Sequence, residues 1–306
     1  MSLNFSKGIP LAKVIGGRYD GEILYVDDKN EVETTVDFDN EILNELLFSK
    51  MKGKNRVNVA RIKSVMDHLD KNIIPSDIET QELYLNSKRI KDSKKGKEIY
   101  LSDGMLQMIP NPDMERQTLY ISGVSGSGKS TFIKNYVGMY QKLYPKRKII
   151  LFSQKDSDPA LDDIKNLIRI EINDELVRDP INCYETFKEC MVIFDDVDAV
   201  GDKKIKMAID KLKEDCLQNG RQHNIETLIT SHNVSNGFST RTILRESMWA
   251  VLFKSGPQMQ TKYYLTKYLG MSKQETDRAL TLSSRWFAIR QIAPMVLVYE
   301  KGAYII

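Results

Sequence analysis

The chain has 306 residues, 41% of them hydrophobic and 28% charged, which excludes wholesale disorder and leaves room for two domains or one domain with an extension. Its 45 Lys plus Arg against 42 Asp plus Glu give a net charge of +3, too little by itself to announce a nucleic-acid binder. The longest apolar runs, such as Trp249 to Phe253, are about a quarter of a membrane span, so no transmembrane helix is expected.

The opening residues Met1-Ser-Leu-Asn-Phe-Ser-Lys7 lack the apolar core of a secretory signal, and a cytosolic compartment is expected. Ile9–Ile15 and Glu22–Val26 flank Gly16-Gly17-Arg18-Tyr19-Asp20-Gly21, a hairpin pattern with glycine in the connection. Asp39–Met51 and Val57–Leu69 have helical spacing, with Ile42, Leu46 and Leu47 on one face and Val59, Ile62, Val65 and Met66 on another. Residues 51–100 hold 12 Lys/Arg against 7 Asp/Glu, a local basic surplus that reads as a phosphate-attracting or simply solvated surface. The polar run Ser87–Lys97 reads as an exposed turn or linker. A second short strand pair, Glu98–Leu101 and Leu106–Ile109, is expected before the break at Pro110-Asn111-Pro112. The division expected is residues 1–98, a mixed α+β region, and residues 99–306.

From Leu119 onward strand and helix alternate, which predicts a parallel α/β sheet. Strands are expected at Thr118–Ser122, Lys148–Ser153, Met191–Asp195, Glu226–Ser231 and Met248–Lys254. Helices are expected at Lys129–Leu143, Lys203–Gln218 and Lys273–Leu282. Arg285–Ile292, Met295–Glu300 and Ala303–Ile306 read as a short antiparallel finish broken at Pro294 and Gly302. Cys183, Cys190 and Cys216 are odd in number and unevenly spaced, which fits neither a disulfide framework nor a zinc ribbon. His68, His223 and His232 form no metal-ligand pair at helical spacing, and Cys190 reads as a small buried hydrophobe.

The strongest chemical signal is Gly123-Val124-Ser125-Gly126-Ser127-Gly128-Lys129-Ser130-Thr131, which fits G-x-x-x-x-G-K-[ST] between an apolar strand and an amphipathic helix. Such a loop curls so that backbone N–H groups face phosphate oxygens at the positive end of a helix. Lys129 is then placed for the β- and γ-phosphates of ATP, and the Ser130 hydroxyl for Mg²⁺. The loop needs an acid at the end of a nearby strand, and Met191-Val-Ile-Phe-Asp195-Asp196 supplies two. Asp195 is the candidate magnesium-holding Walker B acid, and Asp196 the candidate base for the attacking water. A third group is Asn219-Gly220-Arg221-Gln-His223-Asn-Ile225 followed by Thr230-Ser231-His232-Asn233. It places polar residues at the carboxyl end of an apolar strand, where ligands of open parallel sheets sit.

Taken together, these segments resemble the FtsK–HerA superfamily of DNA-pumping ATPases. Asn219–Ile225 and Thr230–Asn233 are most similar to the poxvirus-type genome-packaging ATPases of large DNA viruses. The resemblance spans roughly residues 99–306; residues 1–98 match nothing nameable. It implies a P-loop NTPase fold of ASCE/RecA-like type, a parallel sheet flanked by helices. It implies a motor that hydrolyses ATP and moves double-stranded viral DNA into a capsid as a homo-oligomeric ring, hexamer or pentamer, docked to a capsid or virion component. The expected location is the cytoplasm of an infected host cell at the virus assembly site, or the virion. By the same resemblance Arg221 falls at the arginine finger offered to a neighbouring subunit. His232 falls where bacterial relatives place a sensor glutamine, and Asp196 stands where they usually carry Glu.

Lys203, Lys204 and Lys206 follow the acids and are candidates for gripping the DNA backbone; a solvated helix start reads equally well. Two other readings are open. A P-loop kinase of a small substrate would need clustered lid arginines, for which Arg285 and Arg290 are few and lie on expected strands. A virion or scaffold protein with a vestigial nucleotide site would be expected to lose Lys129, Ser130 or Asp195 first.

Overall fold

The computed structural model describes residues 1–29, most of 64–88, and 96–306 apart from 115, 236, 237 and 257. The helical expectation at Asp39–Met51, most of that at Val57–Leu69 and much of the run Ser87–Lys97 lie outside the described residues.

In chain order the strands are β1 (Ser2–Asn4), β2 (Ile9–Ile15), β3 (Ile23–Asp27), β4 (Glu98–Tyr100), β5 (Met105–Met108), β6 (Thr118–Ser122) and β7 (Ile149–Ser153). Then come β8 (Leu167–Glu171), β9 (Met191–Asp195), β10 (Glu226–Ser231), β11 (Trp249–Phe253), β12 (Trp286–Arg290), β13 (Val296–Tyr299) and β14 (Gly302–Ile305). The principal helices are α1 (Lys129–Leu143), α2 (Lys203–Asn219), α3 (Phe238–Glu246) and α4 (Lys273–Thr281).

Ten strands form one sheet in the order β4-β14-β13-β12-β11-β6-β10-β9-β7-β8. The run from β11 to β8 is parallel, and the strands from β12 to β4 continue the same sheet antiparallel. Strands β6, β9, β10 and β11 are buried along their whole length. Both of their faces are covered, which is why their sequences read as apolar runs without polar alternation. Leu119 and Ile121 enter one core, with Phe132, Ile133, Tyr136 and Val137 of α1. Tyr120 and Ile229 point the other way, to Ile209, Leu212 and Leu217 of α2 and Ile243 and Leu244 of α3. The P-loop NTPase fold expected from the sequence is present, and β10 stands between the strand that launches the P-loop and the strand that ends in the paired acids.

The N-terminal hairpin β2–β3 is antiparallel as expected, and with β1 and β5 it makes a second sheet, β1-β3-β2-β5. One expectation is overturned: β4 and β5 do not pair with each other. β4 joins β14 at the edge of the large sheet, while β5 pairs with β2 in the small one. The stretch 98–108 therefore crosses between the sheets. Leu3, Leu11, Ala12 and Val14 of the small sheet share one core with α1 and Val298.

At the amino end of the parallel strands, a buried polar knot fastens Pro110-Asn111-Pro112 to the large sheet. The Glu226 carboxylate accepts the Gln117 N–H at 2.8 Å and the Tyr136 hydroxyl at 2.8 Å. The Gln117 side-chain oxygen accepts the Asn111 N–H at 2.9 Å. Burial raises the Glu226 carboxyl from its ordinary value to about 7, against the lowering effect of these two donors. The folded state thus holds a proton that the unfolded state gives up near 4.5, so stability is fullest below that pH and falls as pH rises through about 7. The loss amounts to about 3 kcal/mol. Glu226→Gln keeps the hydrogen-bonding capacity without the ionisation, and should flatten this dependence: urea unfolding at pH 5 and pH 8 should give nearly equal stability for the variant and a clear decline for the native chain.

Candidate nucleotide site

The site lies at the carboxyl edge of the parallel strands, where register aligns Ser122 of β6 with Ser231 of β10, and Ser153 of β7 with Asp195 of β9. The P-loop leaves β6 here and closes on α1. Glycine is required at Gly123, because a Cβ would fall 2.6 Å from Phe253 Cβ and 2.7 Å from Ser127 Oγ. It is required at Gly128 because φ is 105°, a left-handed backbone that side chains disfavour. Gly128 caps α1 without a side-chain acceptor, so the first-turn N–H groups remain as donors for an anion.

Lys129 is buried against this loop. Its ammonium donates to Gly123 O at 2.7 Å, and stands 3.7 Å from Asp196 Oδ1 and 3.5 Å from His232 Nδ1. The imidazole of His232 reaches Asp196 Oδ2 through Nε2 at 3.2 Å. Asp195 and Asp196 are both buried, at 2% and 8% exposure. Neighbouring residues on a strand face opposite ways. Asp196 breaks that alternation with a φ of 50°, which swings its carboxylate back beside Asp195. The two meet at Thr230, whose hydroxyl lies 2.9 Å from Asp195 Oδ1 and 3.1 Å from Asp196 Oδ1 while accepting the Asp196 N–H at 2.8 Å. Ser231 donates to Asp198 Oδ2 at 2.7 Å, holding the turn that follows the acids.

Ser153 at the end of β7, with Lys155 and Asp158 on the loop after it, completes the site; none of the three carries a motif by which the sequence could have marked it. Ser153 donates to Asp195 Oδ2 at 3.3 Å. The Lys155 ammonium stands 3.7 Å from Asp195 Oδ2, 3.6 Å from Asp196 Oδ2 and 4.0 Å from Asp158 Oδ2. Partial burial would lower this lysine, but the carboxylates of Asp195, Asp196 and Asp158 outweigh it and raise it above the ordinary value. Ser130 donates to Asp158 Oδ2 at 2.9 Å, tying the first turn of α1 to that loop. The donor set around Ser130 and Asp195 is of hard oxygens, and Asp196 Oδ2, without a well-formed hydrogen bond, faces the His232 imidazole and the Lys155 ammonium. A lysine ammonium stands against these carboxylates, so the cluster is one that draws a cation, and it fits Mg²⁺.

The structure thus gathers Lys129, Ser130, Asp195, Asp196 and His232 at one edge. Arg221 lies elsewhere. It is exposed in the turn Gly220–His223 before β10, at the opposite end of that strand and roughly 17 Å along it. The helix-end carbonyls there, Cys216 and Leu217, are each taken by the Arg116 guanidinium at 2.5 Å. Lys203 and Lys204 are exposed in the first turn of α2, which starts at the same edge as the P-loop, and Lys206 contacts Asp210 at 3.4 Å and the Asp198 carbonyl at 3.3 Å. The negative charge that a helix start favours is supplied by Asp202, whose carboxylate accepts the Lys204 and Ile205 N–H groups. Arg290, weighed above for a kinase lid, is buried and donates to the carbonyls of Ile292 and Pro294. Among the described residues no helix is long and apolar enough to cross a membrane.

No protein-family model matches the chain. It is 35% identical over 215 residues to the uncharacterized protein V3 of Sputnik virophage, covering 69% of this chain and 86% of that one. Among solved structures it is similar to the genome packaging NTPase B204 of Sulfolobus turreted icosahedral virus 2 in complex with ATPγS. There the TM-score is 0.42 at 14% identity, over 61% of this chain and 97% of that one. It is similar to the pCW3 conjugation coupling protein TcpA with ATPγS, with TM-score 0.45 at 12% identity over 67% of this chain and 66% of that one. The cytoplasmic domain of the type VII secretion ATPase EccC of Thermomonospora curvata gives a TM-score of 0.44 at 13% identity, over 68% of this chain and 28% of that one. In fold the chain is a P-loop NTPase, a parallel sheet flanked by helices, and it belongs to the family of virophage protein V3.

Thr230 gives this edge a direct test. Thr230→Val keeps the shape but leaves the Asp196 N–H without its acceptor and both carboxylates without the shared donor. It should cost about 1–3 kcal/mol in urea unfolding. Thr230→Ser, which restores the hydroxyl, should recover most of that loss.

Proposed function

We propose that this member of the V3 family hydrolyses ATP and uses the energy to move double-stranded DNA into a viral capsid. The observation that carries the reading is the convergence of Lys129, His232 and the paired acids Asp195 and Asp196 on one P-loop. The kinship with a virophage protein supports a role in the virus cycle. In this reading Lys129 faces the β- and γ-phosphates, and the N–H groups of the loop and first turn of α1 bind the phosphate oxygens. Ser130 and Asp195 are the residues that would hold Mg²⁺, which supplies charge neutralisation on the phosphate chain. Asp196, braced by Thr230 and His232, accepts the proton of the attacking water. His232 touches both Lys129 and Asp196, and so senses the γ-phosphate and its departure.

Arg221 stands too far from its own P-loop to serve it. It is offered to the site of an adjoining copy, in a homo-oligomeric ring of five or six subunits docked on a capsid or virion component. Lys203 and Lys204, exposed at the start of α2 on the P-loop edge, are the backbone-gripping residues of such a ring. The setting is the assembly site in an infected cell.

Duplex DNA of any sequence should stimulate ATP turnover, and added salt should weaken that effect steeply, since phosphate contacts carry no sequence information and release counterions. Lys203→Ala with Lys204→Ala should lower DNA affinity and leave DNA-free turnover alone. A turnover assay with and without duplex DNA checks this, and stimulation by a small nucleoside with none by DNA would refute it.

Arg221→Ala should bind ATP normally and hydrolyse it about 10³-fold or more slowly, as for other trans arginine fingers. Mixing it with Lys129→Ala subunits should restore measurable turnover, because some interfaces then pair an intact P-loop with an intact arginine. Absence of rescue between variants shown to co-assemble would place the finger elsewhere.

A further inference from the structure

Beside the P-loop, on the side away from the acids, lies an open cavity of about 210 Å³ walled by Gly128, Thr131, Phe253 and Trp286 and by Ile15 and Met105 of the small N-terminal sheet. We infer that this cavity holds the base and sugar of the nucleoside triphosphate, and that the N-terminal sheet is therefore part of the nucleotide site. The inference rests on the nucleotide-binding reading above and adds to it a role for residues that carry no recognisable motif.

Direction comes first. Strand order places β10 and β9, with Asp195, Asp196 and His232, on one side of the P-loop strand β6, and β11 and β12 on the other. A triphosphate whose terminal phosphate lies by the acids runs back along the loop and sends its nucleoside toward β11. The cavity stands there, with Ser127, Gly128 and Thr131 in its wall, so loop and cavity are continuous. The Ser127 hydroxyl oxygen is buried without a hydrogen-bond partner, a polar atom in this wall left for a ligand.

The walls have the chemistry of a base site. Phe253 and Trp286 pack on Phe132 with ring centroids 6.2 and 5.1 Å apart, giving a rigid aromatic floor. Ile15 ends β2 and Met105 begins β5, and the two are cross-strand partners. They are 39% and 44% exposed, an apolar pair left in water at the cavity mouth. A flat aromatic ligand between this pair and the floor would cover both, and methionine sulfur packs well on rings. Arg285 is anchored to Glu300 by its Nε at 2.7 Å while its side chain stays 73% exposed. Its planar guanidinium is thus presented at the rim, where it can stack on a base or contact the sugar.

The chain's two tryptophans make the test possible. Trp286 is at the cavity, whereas Trp249 begins β11 at the far end of the sheet, paired with Arg290. In Trp249→Phe, Trp286 is the sole indole, and MgATP should change its emission while magnesium tripolyphosphate, which has no nucleoside, should not. Ile15→Ser with Met105→Ser should raise the Kd for ATP about tenfold, by loss of apolar cover, and leave the Kd for tripolyphosphate unchanged. Equal emission changes with both ligands, or equal effects of the double variant on both Kd values, would overturn the assignment and leave the P-loop reading standing. If the native chain binds neither ligand, the P-loop reading itself fails and this inference with it.

Discussion

Two adjacent carboxylates buried side by side repel each other and lose hydration, and the active edge of the sheet is organised to meet that cost. A regular strand would point Asp195 and Asp196 to opposite faces. The left-handed turn at Asp196 brings them together, and Thr230 binds both with one hydroxyl while capturing the Asp196 N–H. Thr230 can do this only because β10 lies directly beside β9. The strand order is thus a requirement of the acid pair as much as of the sheet.

Two ammonium groups and an imidazole, from three separate elements, complete the compensation. Lys129 comes from the P-loop, Lys155 from the loop after β7, and His232 from the loop after β10. Each stands within 4 Å of an Asp196 oxygen, so any ligand that engages one of these groups changes the surroundings of the others. The Ser130–Asp158 hydrogen bond extends this linkage into the first turn of α1. A phosphate chain or a divalent cation entering here would compete for contacts that already exist. A ligand that breaks one of these contacts releases the loop that made it.

Much of this was legible in the sequence, for stated reasons. Helix Lys129–Leu143 and strands Thr118–Ser122, Met191–Asp195 and Glu226–Ser231 were expected with these same bounds, because buried central strands are unbroken apolar runs and α1 keeps one apolar face. Strand β8, Leu-Ile-Arg-Ile-Glu, was not anticipated; it is a partly exposed edge strand whose charged residues interrupt the pattern. The pairing of β4 with β14 and of β5 with β2 joins residues far apart in sequence, and no local signal encodes it. The same holds for Lys155 and Asp158: they sit in a loop whose importance comes only from the strand it follows.

The far edge of the sheet supplies the remaining constraint. Arg116 binds the carbonyls that end α2, and Gly220 is the residue that lets it in, since a Cβ there would lie 2.8 Å from the guanidinium. The capping of that helix end thus falls to Arg116. Arg221 is exposed on the turn that follows and is separated from its own P-loop by the length of β10. A guanidinium so placed cannot act on the phosphate bound by its own subunit without the sheet coming apart. Within a ring, however, one subunit's far edge can face the next subunit's loop. That distance excludes action in cis and, in the ring proposed above, leaves the arginine to a neighbouring site.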